Sequence, residues 1–200
     1  MDDPRTHYTA FDVGERWRIV PPGALASPGP RLCLTLARGA FGSGEHDTTA
    51  SCLELLAGLA LPPGARALDF GCGTGVLSVA ALRLGAAHAL GVDISAAAVA
   101  CARRNLELNG LADRAELRQG GLEVVGDEAF DLVLANIYGD IILDVGATLV
   151  QRARPGGLLL LSGILWGDSF EVRTLLEAQG CRLLAQRLLE EHCTLLAARA

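Results

Sequence analysis

The chain has 200 residues, half of them hydrophobic but only 4% aromatic, and a formal net charge of −6. This suits one α/β domain with a short extension and a core built mainly of Leu, Ala and Val. All 17 basic residues are arginine, so no lysine of its own is open to modification, and the acidic balance argues against a nucleic-acid partner, which calls for a basic face. No apolar run approaches the ~20 residues of a membrane helix. Met1-Asp2-Asp3 lacks the basic start of a signal peptide, so a cytoplasmic protein without a membrane partner is expected. Cysteines 33, 52, 72, 101, 181 and 193 form no C-x-x-C pair and read as buried free thiols. His192-Cys193 has no further ligands nearby, and no metal site is expected.

Residues 1–39 read as an N-terminal extension, with short strands at 16–20 and 31–36 around a loop in which six of residues 21–30 are Pro or Gly. Residues 40–200 form the second unit. It opens with a glycine-rich loop, Ala40-Phe41-Gly42-Ser43-Gly44, which runs into a helix over about 48–59 with Asp47 as its cap. Strand 66–70, helix 76–84, strand 88–93, helix 96–109 behind a Ser95 cap and strand 115–118 follow. Strand 130–135, helix 139–152 and strand 157–162 come next. Asp168 and Glu171 resemble a capping box for a helix ending near Gln179, with Gly180 beyond it. Runs 182–189 and 193–198 read as an antiparallel hairpin at the sheet edge. The alternation predicts a Rossmann-like, mostly parallel seven-stranded sheet with helices on both faces.

The most informative stretch is Leu68-Asp69-Phe70-Gly71-Cys72-Gly73-Thr74-Gly75, with Asp93 at the end of the next strand. A strand turning sharply into a helix is expected to leave the first helical amides bare for a ligand, and Gly71, Gly73 and Gly75 permit close approach. Asp93 is placed to bind a ribose diol. A dinucleotide fingerprint starting at Gly71 requires glycine at position 76, where Val76 stands. The pattern D-x-G-x-G-x-G instead resembles motif I of the class I S-adenosylmethionine-dependent methyltransferases. There is then no pyrophosphate to cradle. A methionyl amine needs an acceptor, which Asp69 or loop carbonyls can supply.

A second constellation is Asp131-Leu132-Val133-Leu134-Ala135-Asn136-Ile137-Tyr138. The strand delivers Asn136 to its carboxyl end, where ligands gather in open α/β sheets. A carboxamide offers both a donor and an acceptor, suited to holding a substrate amine in line with a sulfonium methyl. Asn136 is therefore the candidate catalytic residue; the plainer alternative is an Asn that ends a strand and starts a turn. Gly42 and Gly44 also suggest that residues 41–49 form a lid, with Phe41 and Thr49 contacting the cofactor from opposite ends of that segment, against the alternative of a fixed turn.

Together, the Phe41-Gly42-Ser43-Gly44 loop with Thr48-Thr49, the Asp69–Gly75 motif, Gly91-Val92-Asp93, Ala135-Asn136-Ile137 and Ser162-Gly163-Ile164-Leu165 resemble the PrmA ribosomal protein methyltransferases. The likeness runs from about Trp17 to the C-terminus. It implies methylation of amino groups, lysine side chains and an N-terminal amine, on the eleventh protein of the large ribosomal subunit. It also implies S-adenosylmethionine contacts at Thr49, Gly71, Asp93 and Asn136. The family carries an additional N-terminal substrate-recognition domain, whereas 16 residues precede Trp17 here, so a catalytic domain alone is expected. That leaves the acceptor open among a ribosomal or other protein, as in the related lysine methyltransferases of the electron-transfer flavoprotein β subunit, and a small amine. A binding-only scaffold is the remaining alternative.

Overall fold

The computed structural model describes residues 8–24, 29–37 and 46–200. Three short strands, β1 (Phe11–Val13), β2 (Trp17–Val20) and β3 (Leu32–Thr35), make a small sheet. Then follow α1 (Asp47–Ala57), β4 (Arg66–Phe70), α2 (Val76–Arg83), β5 (His88–Asp93), α3 (Ala96–Leu108), β6 (Ala115–Gln119), β7 (Phe130–Asn136) and α4 (Gly139–Arg152). The chain ends with β8 (Ala153–Leu165), α5 (Ser169–Ala178), β9 (Cys181–Leu188) and β10 (His192–Arg199). The main sheet has seven strands in the order β6-β5-β4-β7-β8-β10-β9, and β10 pairs antiparallel with both neighbours.

Strand periodicity divides the core between the two sheet faces. Ala67, Leu132, Leu134 and Leu160 face one cluster, with Trp17, Leu53 and α2. Leu68, Val133, Ala135, Leu159 and Leu161 face the other, with Ile142 of α4 and Val172 of α5. Helix α2 is buried continuously from Val76 to Leu82, because it lies under both the small sheet and α1. Trp17 is fully buried, and its indole N–H donates to the Leu53 carbonyl at 2.6 Å. Truncating such a side chain costs about 3–5 kcal/mol. The small sheet thus shares its core with α1 and α2.

Several boundaries differ from the sequence expectation. Strand β1 was not expected: its three residues include one buried side chain, Val13, too little pattern to betray a strand. His46, not Asp47, caps α1, its Nδ1 accepting from the Thr48 amide, and Asp47 occupies the first turn where the helix dipole favours a carboxylate. Asp168 sits at the start of α5 but makes no side-chain cap; its carboxylate lies against Gly139 instead. Strand β8 begins at Ala153 rather than 157, because a pairing irregularity opposite Phe130–Leu132 absorbs the Pro-Gly-Gly stretch. All six cysteines are free; four are buried, while Cys33 and Cys101 are half-buried. Among the described residues no helix is long and apolar enough to cross a membrane.

Strands β4, β5, β7 and β8 run parallel, so Phe70, Asp93, Asn136 and Leu165 end at one edge of the sheet. Strand order reverses beside β4, and this switch point holds the site.

Candidate functional site

The turn from β4 into α2 depends on left-handed backbone that only glycine adopts cheaply: φ is +72° at Gly71, +54° at Gly73 and +75° at Gly75. A Cβ at Gly71 would stand 2.3 Å from Ile137 Cγ2, the residue after Asn136. One at Gly75 would stand 2.9 Å from the Ala102 Cβ of α3. The first glycine therefore lets β4 and β7 end side by side, and the third seats α3.

The amides of this turn are less bare than the sequence suggested. Gly71 and Cys72 donate to the Val92 carbonyl at 2.8 and 3.0 Å, and Gly75 donates to Cys72 at 2.7 Å. Gly73 donates to Asp93 Oδ2 at 2.9 Å, and Ser78 donates through its amide and hydroxyl to Asp69 Oδ2 at 2.9 and 2.6 Å. A pyrophosphate cradle must keep such donors for its ligand. Here two carboxylates and the end of β5 take them, which leaves a fixed turn rather than an anion nest.

Asp93 is half-buried, and its Oδ1 accepts from the Ser95 amide at 2.9 Å. Its carboxylate keeps lone pairs for further donors. Beside it stand Ile94, 79% exposed, and the Gly120-Gly121 bend after β6, where the Gly120 amide donates to the Asp93 carbonyl. Asp69, by contrast, is turned inward and 2% exposed. Burial, and then the nearby charge of Asp93, raises its pKa to about 7, while the Ser78 hydrogen bonds oppose the shift. Asp69 therefore shapes the turn through Ser78, and a role as direct acceptor for a ligand amine does not follow from this geometry. Burial also drives the Cys72 thiol well above its ordinary range and the Cys52 thiol to about 12, so neither is a ready nucleophile beside the site.

Asn136 and Thr49, 87 positions apart in sequence, meet at the opposite end of the turn. Asn136 Nδ2 donates to Thr49 Oγ1 at 3.1 Å, and Thr49 is 1% exposed. The Ile137 amide donates to the Ser162 carbonyl, and Gly163 at φ +81° packs so close that a Cβ would lie 2.3 Å from the Ile137 carbonyl oxygen. The backbone after Asn136 is thereby fixed. Among the described residues Asn136 Oδ1 has no hydrogen-bond partner, so this half-buried side chain keeps one acceptor free. Gly71, Gly73, Gly75, Asp93, Thr49 and Asn136 converge as the sequence suggested. Phe41 and the 41–45 part of the expected lid lie outside the described residues.

The family model described as ribosomal protein L11 methyltransferase (PrmA) matches residues 2–200. The chain belongs to the PrmA family. Among curated relatives, the ribosomal protein L11 methyltransferase of Chromohalobacter salexigens is 42% identical over 184 residues, covering 92% of this chain and 60% of that protein. That of Aeromonas hydrophila is 37% identical over 194 residues, covering 91% and 66%. The chain thus spans about 60–66% of the length of these two relatives. Among solved structures, the ribosomal protein L11 methylase of Lactobacillus delbrueckii subsp. bulgaricus superposes with a TM-score of 0.86 at 26% identity, covering 96% of this chain and 98% of that one. The B. subtilis tRNA methyltransferase TrmK gives 0.62 at 25% identity, covering 74% and 65%. The fold is that of the class I S-adenosylmethionine-dependent methyltransferases.

Within this PrmA-family chain, two supporting residues escaped the sequence reading. Asn105 of α3 is fully buried; its Oδ1 accepts from Ala37 N at 2.7 Å, and its Nδ2 donates to Ala37 O at 3.2 Å and Thr74 O at 2.9 Å. One turn on, Asn109 clasps Thr35 in the same way through its Oδ1 and Nδ2. These two carboxamides act as a strand edge for the last residue of β3 and for Ala37 beyond it, and tie them to the glycine turn. Two Asn spaced i, i+4 on the buried side of a helix were the available signal.

Proposed function

We propose that this chain transfers a methyl group from S-adenosylmethionine to an amino group of a protein, a lysine side chain or an N-terminal amine. The ribosomal protein in its relatives' names is the first acceptor to try. The observation that carries this reading is Asn136: a carboxamide at the end of β7, oriented by Thr49, with its oxygen free beside the glycine turn.

The residues fit the cofactor. The turn 71–75 offers a surface without side chains for close approach, Asp93 has acceptor capacity for a ribose diol, and Ile94 offers an apolar face for the base. Thr49 and Asn136 border the other end, where Phe41 joins them in the proposal. S-adenosylmethionine supplies, when bound, an electrophilic methyl carbon on a sulfonium. The chain's own contribution is alignment. One N–H of a neutral amine donates to Asn136 Oδ1, which turns the nitrogen lone pair into the cleft. The carboxamide takes up no proton, so the amine must arrive deprotonated and the product ammonium loses its proton to water. The locked Ile137 backbone keeps Asn136 from rotating away. The reading also takes the chain to act in the cytoplasm and not on nucleic acid, in keeping with its net charge of −6.

Methyl-labelled S-adenosylmethionine, the purified chain and a lysate from cells lacking it provide the test. Label in acid-precipitable protein supports the proposal. Label confined to soluble metabolites favours a small amine, and cofactor binding without transfer to either pool marks a scaffold.

A further inference from the structure

The rim of the cleft beyond Asn136 carries an unusual pairing of exposed aromatics and unpaired carboxylates. Tyr138, at the start of α4, is 68% exposed; Trp166 and Phe170, after β8, are 53% and 72% exposed. They stand on a continuous frame. Asp168 packs against Gly139, Gly163 packs against the Ile137 carbonyl, and the Trp166 amide donates to Glu191 O in the β9–β10 turn. The Trp166 indole N–H is already used, donating to His192 O at 3.0 Å, so the ring is fixed and offers only its apolar surface. Fixed aromatics lose little conformational entropy on binding and serve well as interface anchors.

The charges on this rim have one sign. Asp140, Glu171, Glu190 and Glu191 are exposed, and none takes part in an ion pair among the described residues. No arginine occurs in the segments 136–141, 163–171 or 188–192. The nearest in sequence are Arg187, which is half-buried and paired with Glu54, and Arg173, which is half-buried and whose charge bears on the buried Cys193 thiol. His46 and His192 also stand here, their ring centroids 5.9 Å apart.

We infer that this rim, running from Tyr138 and Phe170 to Glu190 and Glu191, is the docking surface for a cationic, lysine-bearing segment of the protein acceptor. The inference rests on the amine-methylation reading above and names the chemistry of the acceptor. The aromatics take the apolar parts of the segment, the carboxylates take its flanking basic side chains, and the surface is continuous with Asn136, where the lysine amine ends. A nucleic acid is repelled by the same carboxylates. A second copy of this chain fits poorly, because a two-fold contact through the rim sets like charges against each other.

Two short peptides test this. Each carries one lysine between leucines, flanked by arginines in one and by glutamates in the other. Binding is read by fluorescence anisotropy at saturating S-adenosylhomocysteine, and transfer is read separately by methyl incorporation. The arginine peptide should bind at least ~10-fold more tightly than the glutamate peptide, with the gap closing as salt rises. Glu190→Arg/Glu191→Arg should reverse the preference, and Phe170→Ser should weaken both peptides, with calorimetric affinity for S-adenosylhomocysteine unchanged in either variant. Equal binding of the two peptides by the native chain, or an unaltered preference in the charge-reversed variant, overturns the docking surface. Charge-selective binding without methyl incorporation leaves the surface standing and counts against the methylation reading. Methylation of both peptides alike does the reverse.

Discussion

Asp93→Ala removes a carboxylate with two kinds of duty. Its Oδ2 holds the Gly73 amide and its Oδ1 the Ser95 amide, both at 2.9 Å, while the remaining lone pairs are assigned to the ribose. A hydrogen bond to a charged group contributes about 1.5–3 kcal/mol, and removing the ribose share should weaken cofactor binding by that amount, roughly 10- to 150-fold. The two amide contacts lie near the surface, so their loss should lower folding stability by about 1–2 kcal/mol. Calorimetry with S-adenosylhomocysteine, run well below the variant's thermal midpoint, reads the first effect and thermal unfolding the second. A cofactor analogue lacking one ribose hydroxyl separates direct contact from distortion of the turn. The native chain should bind it more weakly than S-adenosylhomocysteine, and the variant should barely distinguish the two. Unchanged affinity in a folded Asp93→Ala variant, or undiminished discrimination of the hydroxyl, would refute the ribose assignment.

Three further outcomes follow from the geometry. Gly71→Ala forces a side chain into left-handed backbone, at about 1–3 kcal/mol, and drives it into Ile137; cofactor affinity should fall at least ~10-fold by calorimetry, and near-native affinity would contradict the close-approach role. Asn105→Ala removes the bonds to the buried amide and carbonyl of Ala37 and to the carbonyl of Thr74, and denaturant unfolding should show a loss of about 2–4 kcal/mol, whereas less than ~0.5 would mean water replaces the side chain. The Asp69 pKa is raised from 3.8 to about 7 in the fold, so between these values the folded chain binds the proton more tightly than the unfolded one. The stability this group confers is full below pH 3.8 and is lost as pH rises through 7, on the order of 4 kcal/mol in all. Asp69→Asn should flatten the stability profile across that window, and an unchanged slope between pH 5 and 8 would assign it to other groups.

From position 66 onward most of the architecture was legible, for a physical reason. Buried parallel strands such as 66–70 and 88–93 are short apolar runs bounded by glycine turns, and the helices between them start at clear signals such as Ser95, whose hydroxyl does accept from the Ala98 amide. The placement of Asp93 and Asn136 was legible, because each stands at the end of a parallel strand. The site was less legible where a residue's role depends on long-range partners. Asp69 reads as a ligand acceptor from its place in the motif, but nothing local announces that Ser78, nine residues on, donates twice to its Oδ2. Asn105 and Asn109 look like solvated helix residues until strand β3, which reaches them from about 70 positions earlier, supplies their backbone partners. The sequence suggested that Thr49 and Asn136 face the same ligand, but not that they bond to each other. The aromatic rim gave no periodic signal, because Tyr138, Trp166 and Phe170 belong to three separate turns and helix starts.

The central claim is that Asn136 aligns the accepting amine. Its most direct test is the turnover rate of Asn136→Ala at saturating S-adenosylmethionine, on a protein acceptor that the native chain methylates, with Thr49→Val alongside. Loss of the carboxamide should reduce kcat by ~10²-fold or more, while the fold and most of the cofactor affinity persist. Thr49→Val, which frees Asn136 without removing it, should fall between the two. A folded Asn136→Ala variant that turns over at the native rate would contradict the account.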